Sequence, residues 1–129
     1  KGLLKHPAII EGLATFIGPL AHDQVINEMR RADLFVFPSL LEGSALVTYE
    51  ALQMGLPVIT TPNSGSPVKD GVTGLLIEPF NVSSIVDAVE LLMTNGELRQ
   101  KMKIEAIKVG GDLNIHGYSR RLVEFVESI

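Results

Sequence analysis

Residues 34–61 read LFVFPSLLEGSALVTYEALQMGLPVITT. The stretch opens on an apolar run, Leu34–Phe37, of aromatic and β-branched side chains that Pro38 ends, the mark of a buried parallel strand. It closes on PVITT, 57–61, a second such run. Between them, about 45–54, Ala45, Leu46, Val47, Ala51, Leu52 and Met54 make a helix that is apolar nearly all round. Gly55 suits a left-handed position after the last turn, and Pro57 prevents the helix from resuming. Strand, helix and strand joined by short links form the βαβ unit of a parallel sheet.

The same alternation extends in both directions. Residues 14–17 predict a strand. HDQVINEMRRAD, 22–33, predicts an amphipathic helix with Val25, Ile26 and Met29 on one face and Asn27, Glu28, Arg30 and Arg31 opposite. Downstream, 61–74 is a Gly-, Pro-, Ser- and Asn-rich loop, and GLLIEP, 74–79, is a further strand. Asn81 can cap the next helix, whose Val82, Ile85, Val86, Val89, Leu92 and Met93 recur at helical spacing. Helices at 97–109 and 118–128 follow, separated by GGDLNIHG. The fold class is α/β: a Rossmann-like parallel sheet with flanking helices, the second half of a doubly wound domain. Ligands in such sheets bind beyond the carboxyl ends of the strands. The loops after Gly18, Phe37, Thr61 and Ile77 emerge there. Four short strands with an open edge make a small sheet, so preceding strands are expected to be missing or supplied by another chain. The chain opens on Lys1 rather than Met, in keeping with a partial domain spanning residues 1–129.

Composition removes several function classes. Hydrophobic residues make up 46% and charged residues 20%, a globular balance with material for a core. A net charge of −4 disfavours a partner read through phosphate neutralisation, so no nucleic acid is expected. Without cysteine there are no disulfides, thiolate metal sites or thiol nucleophiles. No run of about 18 apolar residues could span a bilayer. KGLLKHPAII is too short and interrupted for a signal peptide, which makes the cytoplasm the expected compartment.

Chemistry concentrates in 38–50. A loop carrying Gly43 and Ser44 into a helix presents free backbone N–H groups and the positive end of the helix dipole, an anion site. Ser44 is equally a plain N-cap, and both readings stay open on local sequence. Glu50 is an awkward carboxylate in an apolar helix, where burial costs several kcal/mol unless it is paired. It could face a solvated end, bond near Tyr49 or Gln53, or accept from a ribose diol. Glu42 is placed to accept hydrogen bonds from sugar hydroxyls beside a phosphate.

FVFPSLLEGSALVTYEALQMGLPVITT, followed by GSPVKDGVTGLLIEP, resembles the nucleotide-sugar-dependent glycosyltransferases of family 4, which have the GT-B fold. The carrier is E-x7-E, Glu42 to Glu50, within P-S-x-x-E-G…E-A-x-x-x-G-x-P-V-I. The likeness covers about residues 13–95. It implies that Glu50 holds the nucleotide ribose. It implies that Glu42 contacts the donor sugar and stabilises charge at the anomeric carbon as the catalytic residue. Gly43, Ser44, Ala45 and Leu46 match the backbone that meets sugar and diphosphate, with Ser39 at the mouth of that loop. Gly18 and Pro19 match the turn near the nucleobase. A nucleotide diphosphate sugar is the implied donor, with a glycan or lipid-linked acceptor held by an upstream domain. Transfer would retain configuration and use no metal or other cofactor. In the full-length enzyme a peripheral position at the inner membrane face is compatible with such acceptors.

Three departures bound the resemblance. Glu42-Gly43-Ser44-Ala45 stands where the family usually shows E-G-F-G. Ser64–Lys69, SGSPVK, replaces a loop that ordinarily carries a carboxylate. The family's diphosphate-binding Arg and Lys lie upstream, and nothing in Lys1–Leu13 replaces them. The segment is therefore expected to bind donor without catalysing transfer alone. A non-catalytic nucleotide-sugar module and a GT-B epimerase are the alternatives. The epimerase would need an acid/base pair acting on the sugar ring.

Other candidates carry less. His6, His22 and His116 have no ligand spacing, so no metal site is expected. Ser39 and Ser44 have no evident general base. Lys101, Lys103 and Lys108 read as a solvated face, and Asn81-Val82-Ser83 as a cap rather than a glycosylation site. Tyr118, Leu122, Phe125, Val126 and Ile129 form a helical stripe expected mainly to pack in the core, the alternative being that part of it is left exposed where the C-terminal helix of the full fold crosses toward the other domain. The open sheet edge offers a route to a homo-oligomer.

Overall fold

A computed structural model describes residues 11–40, 45–113 and 115–129. The elements run α1 (His22–Arg31), β1 (Phe35–Phe37), α2 (Leu46–Gln53), β2 (Val58–Thr60), β3 (Gly74–Leu76), α3 (Val82–Thr94), α4 (Gly96–Asp112) and α5 (Ile115–Glu127). The three strands form one parallel sheet in the order β1-β2-β3. Phe35 pairs with Val58 and Phe37 with Thr60, and Val58 in turn pairs with Gly74. The βαβ unit read from 34–61 is therefore β1-α2-β2.

Successive strand residues face opposite sides of a sheet, and the core divides accordingly. Val58 packs with Met29 of α1, Ala51 and Leu52 of α2 and Ala106 of α4. Ile59 points the other way, onto Ile77, Ala88 and Leu92 of α3 and Met102 of α4. Helices thus cover both faces of β2, the doubly wound arrangement. α4 closes the layers by giving a buried residue to each cluster. Asn81 caps α3 as expected, its Oδ1 accepting from the Ser84 N–H at 3.1 Å. Asn81→Ala is expected to lower stability by about 1 kcal/mol, measurable as a shifted urea midpoint with an unchanged slope.

Four expectations are corrected. Residues 14–17 form no strand, and Leu13, Phe16 and Ile17 are exposed. A strand exists only through its neighbour. In the doubly wound order the strand feeding the helix before β1 lies at the far edge and pairs with strands other than β1, and no such ladder occurs among the described residues. β1 is parallel but not fully buried, because it forms the sheet edge and Val36 stands 40% exposed on its uncovered side. The break expected at GGDLNIHG is much shorter. α4 continues through Gly110 and Gly111, and α5 begins at Ile115. Glycine is required at this helical position because α2 crosses so near that a β-carbon on Gly110 would lie 2.7 Å from the Gln53 Cα. Leu122, Phe125, Val126 and Ile129 of the α5 stripe are exposed, so they do not pack in the core. α5 is held to α4 by polar contacts, Arg120 to the Asp112 carboxylate at 3.0 Å and Arg121 to the Asp112 carbonyl at 2.6 Å.

The lysine reading agrees with the structure, as Lys101, Lys103 and Lys108 are all exposed. Lys101 pairs with Glu97 at 2.9 Å and Lys108 with Glu105 at 2.6 Å, all on the exposed side of α4.

Candidate functional site

The site is built where β1 and β2 end. The Thr60 hydroxyl donates to the Phe37 carbonyl at 2.7 Å, and the Thr61 hydroxyl donates to the carbonyl of Ser39. These two side chains hold the start of the loop, Pro38–Leu40, against the end of the neighbouring strand. Leu41, Glu42, Gly43 and Ser44 lie outside the described residues, so the catalytic assignment to Glu42 and the binding assignments to Gly43 and Ser44 are not located.

The described residues resume at Ala45, the N-cap of α2. Ala45 makes no side-chain cap bond, and the Ser44 cap reading lies outside the described residues. The first turn carries no acidic residue, and Leu46, its first member, is 70% exposed. Thr48 closes the turn from within, donating from both its N–H and its hydroxyl to the Ala45 carbonyl at 2.9 and 2.6 Å. A helix start with no carboxylate in its first turn leaves the positive end of its dipole favourable to an anion.

Glu50 lies one turn further on and is the sole charged residue of α2. It is neither deeply buried nor bonded to Tyr49 or Gln53. Its side chain is 29% exposed, and Oε1 lies 3.5 Å from Nδ1 of His22. The solution to the awkward carboxylate is thus a partial opening to solvent and an imidazole from another helix. Sequence reasoning missed His22 as a partner, since only the tertiary packing of α1 on α2 brings 22 to 50.

His22 is the first residue of α1, and the turn assigned to the base side of the site leads directly into it. Gly18 adopts φ +80°, and a β-carbon there would meet nothing within 4 Å. Backbone conformation alone therefore selects glycine. Gly18→Ala is expected to cost about 1 kcal/mol, read as a lower thermal midpoint. Pro19 is exposed in the same turn. Ala21 then starts α1, its N–H donating to Gln24 Oε1 at 2.9 Å.

Two further features lie at this end of the sheet. The Ser64 hydroxyl, in the loop after β2, is fully buried and has no hydrogen-bond partner among the described residues. Such an orphan costs about 1–3 kcal/mol unless something satisfies it. A cleft of about 300 Å³ is lined by Pro38, Leu40, Thr61, Ile77, Phe80 and Val82, among others. It is predominantly apolar and touches neither Glu50 nor His22. Phe80 on its rim is 87% exposed at φ 60°, a conformation rare for an aromatic residue. No group of three or more metal-ligating side chains occurs among the described residues.

The family model described as glycosyl transferases group 1 matches residues 4–109. The chain belongs to that family. A D-inositol 3-phosphate glycosyltransferase of Mycobacterium tuberculosis is 36% identical over 86 residues, which take in 65% of this chain and 18% of the relative. The matched part of the chain therefore spans about a fifth of that relative's length. Among solved structures, a sucrose-phosphate synthase from Thermosynechococcus elongatus superposes with a TM-score of 0.81 at 22% identity, over 98% of this chain and 32% of that one. Anabaena HepE in complex with UDP and glucose superposes at 0.77 with 20% identity, over 95% and 35% of the two chains. The group 1 glycosyltransferase fold is thus present here in its parallel sheet and flanking helices.

Proposed function

We propose that this chain is the donor-binding part of a retaining glycosyltransferase that takes its sugar from a nucleotide diphosphate sugar. The observation that carries the reading is Glu50. Within a stretch matched by the group 1 family, its carboxylate sits partly open on α2, one turn from a helix start whose first turn carries no acidic residue. The UDP and glucose bound by HepE give the chemical class of donor, and uridine diphosphate is the natural probe.

In this scheme the diphosphate lies against the N–H groups that begin α2. Those dipoles are fixed before reaction and face the negative charge that builds on the departing nucleoside diphosphate, the kind of stabilisation that lowers a transfer barrier most. Glu50 accepts from the ribose hydroxyls. Glu42 contacts the donor sugar and meets charge at its anomeric carbon. Ser39, Gly43, Ser44, Ala45 and Leu46 supply the surrounding backbone, and the Gly18–Pro19 turn flanks the base. A basic pair and an acceptor-binding domain from the remainder of the protein complete the site, with a glycan or a lipid-linked molecule as acceptor. No metal takes part, since helix dipoles and basic side chains meet the phosphate charge. The enzyme works in the cytoplasm, at the inner membrane face when its acceptor is lipid-linked. The described part contains no helix long and apolar enough to cross a membrane. The exposed edge of β1 is the surface through which copies would associate.

Isothermal titration of uridine diphosphate into the protein tests the reading. Saturable binding that is unchanged by EDTA is expected. Absence of binding, or binding that requires added magnesium, would contradict it.

A further inference from the structure

We infer that His22 is a positioning residue for the nucleotide site, fixing the Glu50 carboxylate in the orientation that receives the ribose. The inference rests on the donor-site reading above and adds to it a residue from a different helix.

The geometry is specific. Nδ1 of His22 approaches Oε1 of Glu50 at 3.5 Å, leaving Oε2 without a described partner. Nδ1 is the imidazole nitrogen nearer the carboxylate, and it is a donor whenever it carries a proton. A ribose diol needs acceptor lone pairs held in place, and a carboxylate with one oxygen engaged presents the other in a defined direction. A distance of 3.5 Å is long for a hydrogen bond, and site contacts of this kind commonly tighten when ligand arrives.

An exposed ion pair between two mobile side chains ordinarily contributes little. This one differs in its supports. His22 is the first residue of α1, whose start is held by the Ala21 N–H donating to Gln24 Oε1 at 2.9 Å. Glu50 stands on α2 between the fully buried Thr48 and the fully buried Ala51 and Leu52. Both backbones are therefore anchored by packing or capping. The pair also connects two parts of the site that lie far apart in sequence, the Gly18–Pro19 turn that feeds α1 and the helix that follows Glu42.

The test is a set of uridine diphosphate titrations with a thermal melt of each variant. His22→Ala is expected to weaken binding roughly three- to five-fold, the scale of a partly exposed charged contact, with an unchanged melting midpoint. His22→Asn, whose amide nitrogen can occupy the place of Nδ1, should restore most of that loss. His22→Gln, whose amide reaches instead to the place of Nε2, should not. In a Glu50→Ala background His22→Ala should have no further effect, because a residue acting through Glu50 has nothing left to position. Unchanged binding in His22→Ala beside weakened binding in Glu50→Ala would overturn the inference and leave the donor site standing. An undiminished His22→Ala effect in the Glu50→Ala background would also overturn it, placing His22 on the ligand directly. Glu50→Ala without effect would remove the donor-site reading itself, and the inference with it.

Discussion

Gly110→Ala is expected to be among the most damaging single substitutions in this chain, lowering stability by roughly 3 kcal/mol and the thermal midpoint by on the order of 10 °C. The added β-carbon would lie 2.7 Å from the Gln53 Cα, 2.8 Å from the Gln53 nitrogen and 2.8 Å from the Leu52 carbonyl oxygen. All three are backbone atoms, so no side chain can swing aside and α2 and α4 must separate. That separation would open the cluster of Ala51, Leu52, Val58 and Ala106, each fully buried. The control is the next residue. A β-carbon on Gly111 meets nothing within 4 Å and lies in the same helix. Gly111→Ala should therefore raise stability by about 0.4–1 kcal/mol through the unfolded chain. Opposite signs at adjacent glycines, measured by urea unfolding, would establish that α4 packs on α2 at Gly110.

Glu50→Ala is expected to leave the fold intact and to weaken uridine diphosphate binding on the order of 10- to 100-fold. Hydrogen bonds to a charged group contribute about 1.5–3 kcal/mol each way they are counted, and about 1.4 kcal/mol corresponds to a factor of ten. The fold is expected to tolerate the change because the Glu50 side chain is 29% exposed and its described polar contact is a 3.5 Å approach from a largely exposed histidine. Alanine is also the best helix former, so α2 itself is not weakened. A loss of affinity without a loss of stability separates a ligand contact from a structural one.

Much of this was legible in the chain. The strands read at 34–37, 57–61 and 74–79, the stop at Gly55 and the cap at Asn81 follow from local steric and hydrogen-bonding rules; each is present, the strands shortened to three residues apiece, the last to Gly74–Leu76. What the sequence concealed is tertiary. Gly110 and Gly111 read as a break because glycine disfavours helix, whereas at Gly110 the closeness of a second helix outweighs that penalty. Residues 14–17 have strand composition but no strand, since pairing depends on a neighbour and not on composition. The α5 stripe has the periodicity of a buried face, yet Leu122, Phe125 and Val126 are about half or more exposed, because amphipathicity shows that a face is apolar and not what lies against it. At the site, Glu50 was visible as a carboxylate out of place. Its partner was not, as twenty-eight positions of chain separate two residues that only packing joins. Ser64 was equally hidden, since a serine in a polar loop gives no sign that its hydroxyl is buried.

The central claim is that Glu50 reads the ribose of a nucleotide, and one measurement addresses it directly. Uridine diphosphate and its 2′,3′-dideoxy analogue, which lacks both ribose hydroxyls, are titrated into the wild-type protein and into Glu50→Ala. The wild type should bind uridine diphosphate on the order of 10- to 100-fold more tightly than the analogue, and Glu50→Ala should bind the two about equally. A variant that kept the full preference for the ribose hydroxyls would show that another group receives them, and would contradict the account.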